Sequence, residues 1–134
     1  MNDVVERSRI LEMQEIMRTM PQVELQTDHY WADGMYCRIV HRPAGTVIVG
    51  KVHKKEHFYM VLKGAVQVGK EVYEAGSVIV SKPGTKRAVY ALEDSICCTV
   101  HRSKKRNLDK LEKQLVEHDE NTLFDARNKL KELT

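Results

Sequence analysis

Residues 50–64 read GKVHKKEHFYMVLKG. His53 and His57 stand four positions apart with Glu56 between them, and two geometries compete for that spacing. On a helix the run is H-x-x-E-H, the inverted zinc-protease arrangement, with two imidazoles on one face and a glutamate working on water. On strands joined by a tight turn, the same imidazoles lie side by side at the rim of a barrel. The flanks decide between them. Val47, Ile48, Val49 and Val52 lead in, Phe58, Tyr59 and Val61 follow, and glycines stand at 50 and 64, so a helix would have to form inside a strongly β-preferring segment. The stretch is therefore read as β.

Outward from it, the same character runs from Met35 to His101. Short Val-, Ile- and Tyr-rich stretches are separated by RPAG, KG, GKE, EAG and KPGT, the turn spacing of an antiparallel sandwich or barrel with six to eight strands. His29 and Trp31 fall in the strand or turn that enters it. Before this region, Ile10, Met13, Met17 and Met20 recur at helical spacing up to Pro21, which predicts an amphipathic helix over 4–19. After RSKKRN the period is helical again, with one stripe at Leu108, Leu111 and Leu115 and a second at Leu123, Phe124, Ala126 and Leu130. The expectation is one domain over 1–134, mainly β, with a core at about 23–102 and C-terminal helices at about 107–133. The leucine stripes are expected to cover the outer sheet or to pair with another subunit.

Composition narrows the classes. The 134 residues are 42% hydrophobic and 31% charged, and no apolar run approaches the ~18 residues of a membrane span. The N-terminus lacks an uninterrupted apolar core of a secretory signal, so a cytosolic protein is expected. Cys37, Cys97 and Cys98 make an odd count without C-x-x-C spacing, which predicts reduced, buried thiols rather than a disulfide framework. A net charge of +3 favours anionic partners. Nucleic acid is not expected, because no stacking aromatics accompany the basic HRSKKRN.

GKVHKKEHFYMVLKG resembles the first cupin motif, and GSVIVSKPGTKRAVY from Gly76 the second. More narrowly, the run from MPQVEL through HRPAGTVIVGKVHKKEH to SKPGTKR and TVHRS is similar to small cupin-like proteins encoded by bacteriophages. The resemblance implies a double-stranded β-helix, a jelly-roll barrel whose open end holds a metal or a small ligand. Two of the four family ligands are cations here: His53 matches the first histidine, Lys55 stands where the second belongs, His57 takes the glutamate's place, and Arg87 replaces the last histidine. A protonated lysine or arginine cannot coordinate a metal ion, so the family's usual centre is not intact.

In a jelly roll the strand beginning at His57 lies antiparallel to the last strand, which ends at His101. His57, Tyr59 and Val61 then share a face, as do Cys97, Thr99 and His101. His53, His57 and His101 are thus the candidate ligands of a divalent Zn, Ni, Fe or Mn ion. Lys51 and Lys55 share the parity of His53, and Lys82, Lys86 and Arg87 lie on the turn that borders the pocket in cupins, so a small anionic ligand is expected there. His41, with the parity of Cys37 and Ile39, is a possible fourth pocket imidazole. Glu56 is expected to point away. Three functions follow: a binder or sensor of a small anion with a histidine-bound metal; a metal-dependent isomerase or oxygenase in which Tyr59 moves a proton; or a structural protein of phage assembly. A homo-oligomer, a dimer first, is expected of the family.

Overall fold

Asp33 and Gly34, with φ of 41° and 76°, close a two-residue turn between strands β1 (Thr27–Ala32) and β2 (Met35–Arg42). Both residues adopt the left-handed backbone that such hairpins require, and Asp and Gly tolerate it best. The computed structural model describes residues 3–17, 24–117 and 126–127. Eight strands lie between Met35 and Arg102: β2, β3 (Val47–Val49), β4 (His57–Lys63), β5 (Ala65–Val68), β6 (Glu71–Glu74), β7 (Val78–Ser81), β8 (Ala88–Ala91) and β9 (Ser95–Arg102). With β1 ahead of them they form two antiparallel sheets, ordered β1-β2-β9-β4-β7 and β3-β8-β5-β6.

The two sheets face each other over a core of Tyr59, Val61 and Cys97 from the first and Val66 and Val89 from the second. Val61 and Val66 are almost fully buried, and each such side chain contributes about 1.5–3 kcal/mol. The β4 to β5 corner turns at Gly64, whose φ is 79°. Cys97 and Cys98 are buried and Cys37 is partly so, all three as free thiols.

Helix α1 (Asp3–Met17) stands where a helix over 4–19 was expected, but its apolar stripe is only partly used. Ile10 is buried while Met13 is 40% exposed, and Met20 lies outside the described residues. Helix α2 (Leu108–Leu115) begins at Asn107, whose side chain accepts from the amides of Asp109 and Lys110, a cap that satisfies two otherwise unbonded N–H groups. The second C-terminal stripe, at Leu123, Phe124 and Leu130, falls outside the described residues, and Ala126 sits in a turn.

The position of α2 corrects an expectation. Leu111 and Leu115 pack against Tyr36, beside Trp31, Leu108 and Val116. Tyr36 pairs with His101 in the β2–β9 ladder, so α2 lies over the end of the barrel rather than over its outer sheet. The chain then bridges back: His53 pairs with Val116, the Lys54 amide donates to the Leu115 carbonyl at 2.7 Å, and the Glu117 amide to the Val52 carbonyl at 2.8 Å. At the barrel mouth this segment lies beside His53 and His101 and lines a cavity with them.

Candidate metal centre

The register places the histidines. In the β4–β9 ladder Phe58 pairs with Val100 and Tyr59 with Thr99, so the next rung outward sets His57 opposite His101. Both are inward-facing and buried, in keeping with the alternating burial of His57, Tyr59 and Val61 along β4. A bend at residues 54–55 brings His53 back over the pair. The ring centroids lie 4.3 Å apart for His53 and His57, 4.2 Å for His57 and His101, and 5.0 Å for His53 and His101. One ring nitrogen from each falls within 4.8 Å of the others.

No protein-family model and no curated protein sequence matches this chain, whereas solved structures do. An RmlC-like cupin from Ralstonia eutropha aligns with a TM-score of 0.51 at 18% identity, over 60% of this chain and 57% of that one. An RmlC-like cupin from Shewanella frigidimarina gives 0.51 at 16%, over 66% and 83%. A putative acetylacetone dioxygenase from Methylibium petroleiphilum gives 0.50 at 16%, over 58% and 61%. The fold is a cupin jelly roll. The chain spans less than two thirds of the Ralstonia and Methylibium proteins.

Within this cupin barrel the donor set suits a metal ion. Burial is the first cause that lowers the pKa of all three imidazoles, to about 2 for His53 and about 3 for His101, with neighbouring imidazoles and Arg38 adding to it for both. Each ring is therefore neutral at ordinary pH and has a lone pair to give. His57 Nδ1 lies 3.1 Å from the Lys55 carbonyl and donates to it, which fixes the ring and leaves Nε2 as the free acceptor. His101 Nδ1 is buried without a hydrogen-bond partner. An orphaned buried ring nitrogen beside two other neutral imidazoles is what a divalent transition metal would complete.

A second layer supports His101. Tyr36 stacks on it at 6.2 Å, and the Tyr36 hydroxyl lies 2.6 Å from His29 Nδ1. Burial pushes the Tyr36 phenol up to about 12 and lowers the pKa of His29, so the phenol donates to the neutral imidazole. Trp31 continues the stack 5.6 Å from Tyr36 and donates its indole N–H to the Lys105 carbonyl.

The cations named from sequence separate into two groups. Lys51 lines a cavity of about 40 Å³ together with His53, His101 and Arg38, but it is ion-paired there with Glu112 of α2. Arg87 donates to Ser81 Oγ, and its positive field reaches His53 and His57. Tyr59 is a core residue beside Cys97 and Val61, its hydroxyl buried in the field of Arg42 and Arg87. Lys55 and Lys86 turn elsewhere. Lys55 sits on the outside of the bend, exposed, and lines a surface groove with Glu56 and Lys104. Lys86 is buried and, with Arg87, lines a groove shared with Ile10 and Met13 of α1. Glu56 points away and pairs with Lys82 at 3.4 Å on the surface.

The parity expected for β2 is inverted. Tyr36 and Val40 are its buried positions, whereas His41 bonds Asp28 at 3.1 Å at the surface and Cys37 Sγ lies 3.2 Å from Cys98 Sγ. The inward row of β2 therefore reads Tyr36, Arg38, Val40, Arg42, and the sequence reading missed both arginines. The Asp33-Gly34 turn fixes Trp31 opposite Tyr36, so these aromatics share one face with Arg38 and Arg42, the face whose burial the structure shows.

Proposed function

We propose that the protein is a metal-dependent cupin that binds a small anionic molecule in a covered barrel, with His53, His57 and His101 as the metal ligands. The observation that carries this reading is the convergence of three neutral, inward-facing imidazoles within 4.8 Å of one another. A divalent transition metal bound there would supply a Lewis-acid site. The chain's own groups do the rest. The Lys55 carbonyl orients His57, Tyr36 braces His101, and Arg87 sets a positive field that favours an anion over a second cation. Helix α2 packs Leu111 and Leu115 beside this site and lowers its exposure to water, which strengthens the charge interactions there.

Metal analysis of untagged protein tests the reading. Near-stoichiometric metal in the wild type that falls away in His57→Ala and in His101→Ala is the expected result, and metal retained in both variants would remove the triad from the site.

A second reading, a metal-dependent enzyme of the oxygenase or isomerase class, is favoured by the partial cover that α2 gives the mouth. Water exclusion is of more use to chemistry than to simple sequestration, and one protein of the same fold is described as a putative acetylacetone dioxygenase. In that reading Tyr59, inside the barrel, is the proton-moving group. The sequence resemblance supports a phage-type protein working in a bacterial cytosol. For a dimer, the support is an apolar strip on the outer face of the five-stranded sheet. Phe58 pairs there with Val80 and Met60 with Val78, and Phe58, Leu62, Val78 and Val80 are each about half exposed or more. No helix among the described residues is long and apolar enough to cross a membrane.

A further inference from the structure

Four buried polar atoms inside the barrel have no hydrogen-bond partner among the described residues: Arg38 Nε, Arg42 Nε, Arg42 Nη1 and His101 Nδ1. Native interiors leave few such groups, and each needs an explanation. A metal ion accounts for the imidazole. It cannot account for the guanidinium nitrogens, which only donate and which repel a cation.

The arginines are also unbalanced in charge. Neither forms an ion pair with a described residue, and Glu112, whose field reaches Arg38, is already taken by Lys51. Burial and the neighbouring Arg42 both lower the pKa of Arg38, the mark of a cation held away from water beside another cation. Uncompensated charge in this setting is costly unless an anion joins it. Bridging water would satisfy the N–H groups but would leave the charge in place.

Geometry sets these donors along one inward face of the sheet. Arg38 stands opposite Thr99, two rungs below the Tyr36–His101 pair and on the same face, and Thr99 stands opposite Tyr59. Arg38, Thr99 and Tyr59 thus form an inward rung directly beneath the histidines. The fields of Arg42 and Arg87 meet at the Tyr59 hydroxyl. Arg38 lies deep in the protein yet keeps part of its surface accessible, and it lines the cavity of about 40 Å³ that also touches His53 and His101. That cavity does not reach Arg42 or Tyr59; what it offers an anion is the Arg38 fork, which meets a planar carboxylate through two parallel N–H···O bonds.

We infer that the barrel interior is a receptor for a small carboxylate, gripped by Arg38 beside His53 and His101, with Arg42 and the Tyr59 hydroxyl adding charge and a donor deeper in the barrel. This rests on the reading of the barrel as a ligand site and replaces Lys55 and Lys86 as the anion-holding residues. It does not require that the metal be present.

The experiment is thermal denaturation and calorimetric titration of EDTA-treated, dialysed full-length protein with acetate, malonate, inorganic phosphate and chloride at matched ionic strength. Acetate and malonate are expected to raise the melting temperature in a saturable way, and phosphate and chloride are not. In Arg38→Met the carboxylate response is expected to vanish, and in Arg42→Met to weaken. The melting temperature without ligand should be equal or higher, because an unpaired buried charge has gone. Arg38→Lys keeps the charge but loses the planar fork, and should bind malonate about tenfold or more weakly. Stabilisation by phosphate in place of carboxylates, no response to any anion, or a malonate affinity unchanged in Arg38→Lys would each overturn the inference. His57→Ala separates the two readings: a carboxylate response that persists there while metal is lost supports the arginine site alone. Metal binding in a wild type that ignores every carboxylate sinks this inference and leaves the metal centre standing.

Discussion

Gly64 is the tightest point of the fold. Its φ of 79° is a conformation that other residues adopt only under strain, and a Cβ there would come within 2.3 Å of Ser95 Oγ and 2.5 Å of the Asp94 carbonyl. Ser95 in turn accepts from the Ala65 amide and donates to the Glu93 carbonyl, so it has little room to move away. Gly64→Ala is therefore expected to destabilise by about 2–4 kcal/mol, read as a drop in the urea midpoint, with no change of fold in the soluble fraction. At this scale the sequence was legible where a residue's type dictates its backbone, as at Gly64. It was opaque where a residue's direction depends on a distant pairing. Arg38 and Arg42 look like surface residues among Cys37, Ile39 and His41, because the more apolar face of β2 looks like the buried one. The ladder with β9, 61 positions away between Cys37 and Cys98, reverses that order.

Among the elements, α2 has a role that its leucine period alone did not reveal. The period correctly gives a helix with Leu111 and Leu115 on one buried face. What that face covers depends on where β9 ends and on the pairing of 52–54 with 115–117, which no local pattern encodes. Removing Leu111 deletes a side chain that is 2% exposed against Tyr36. Leu111→Ala is expected to cost about 2–5 kcal/mol in global stability, and to speed amide exchange at Lys54 and Glu117 beyond what the global loss explains. Equal acceleration across all strands would mean that α2 is packing filler and not a separately opening cover. The strands themselves were readable because β-branched residues alternate between Gly- and Pro-bearing turns. The pairing of β4 with the last strand, and hence the meeting of His57 with His101, followed from the jelly-roll connection and stands in the ladder.

For the molecule as a whole, the two faces of the five-stranded sheet carry opposite chemistry. Its inner face is unusually polar, with histidines, arginines and Tyr59, and its outer face is unusually apolar along β4 and β7. An outward strip of Phe58, Val78 and Val80 against an inward row of charge is the reverse of the usual pattern for a soluble sandwich. The strip is expected to be covered by a second copy: light scattering should give a dimer at micromolar concentration, and Phe58→Glu should give a monomer that keeps its metal content. A wild type that is monomeric throughout would leave the strip without that partner.

The return stitch between Val52–Lys54 and Leu115–Glu117 also bears on time. A guest that leaves past this stitch must first break two backbone hydrogen bonds and unseat a helix. Its departure would then be clocked by that loosening, with the same slow off-rate for tight and loose guests alike.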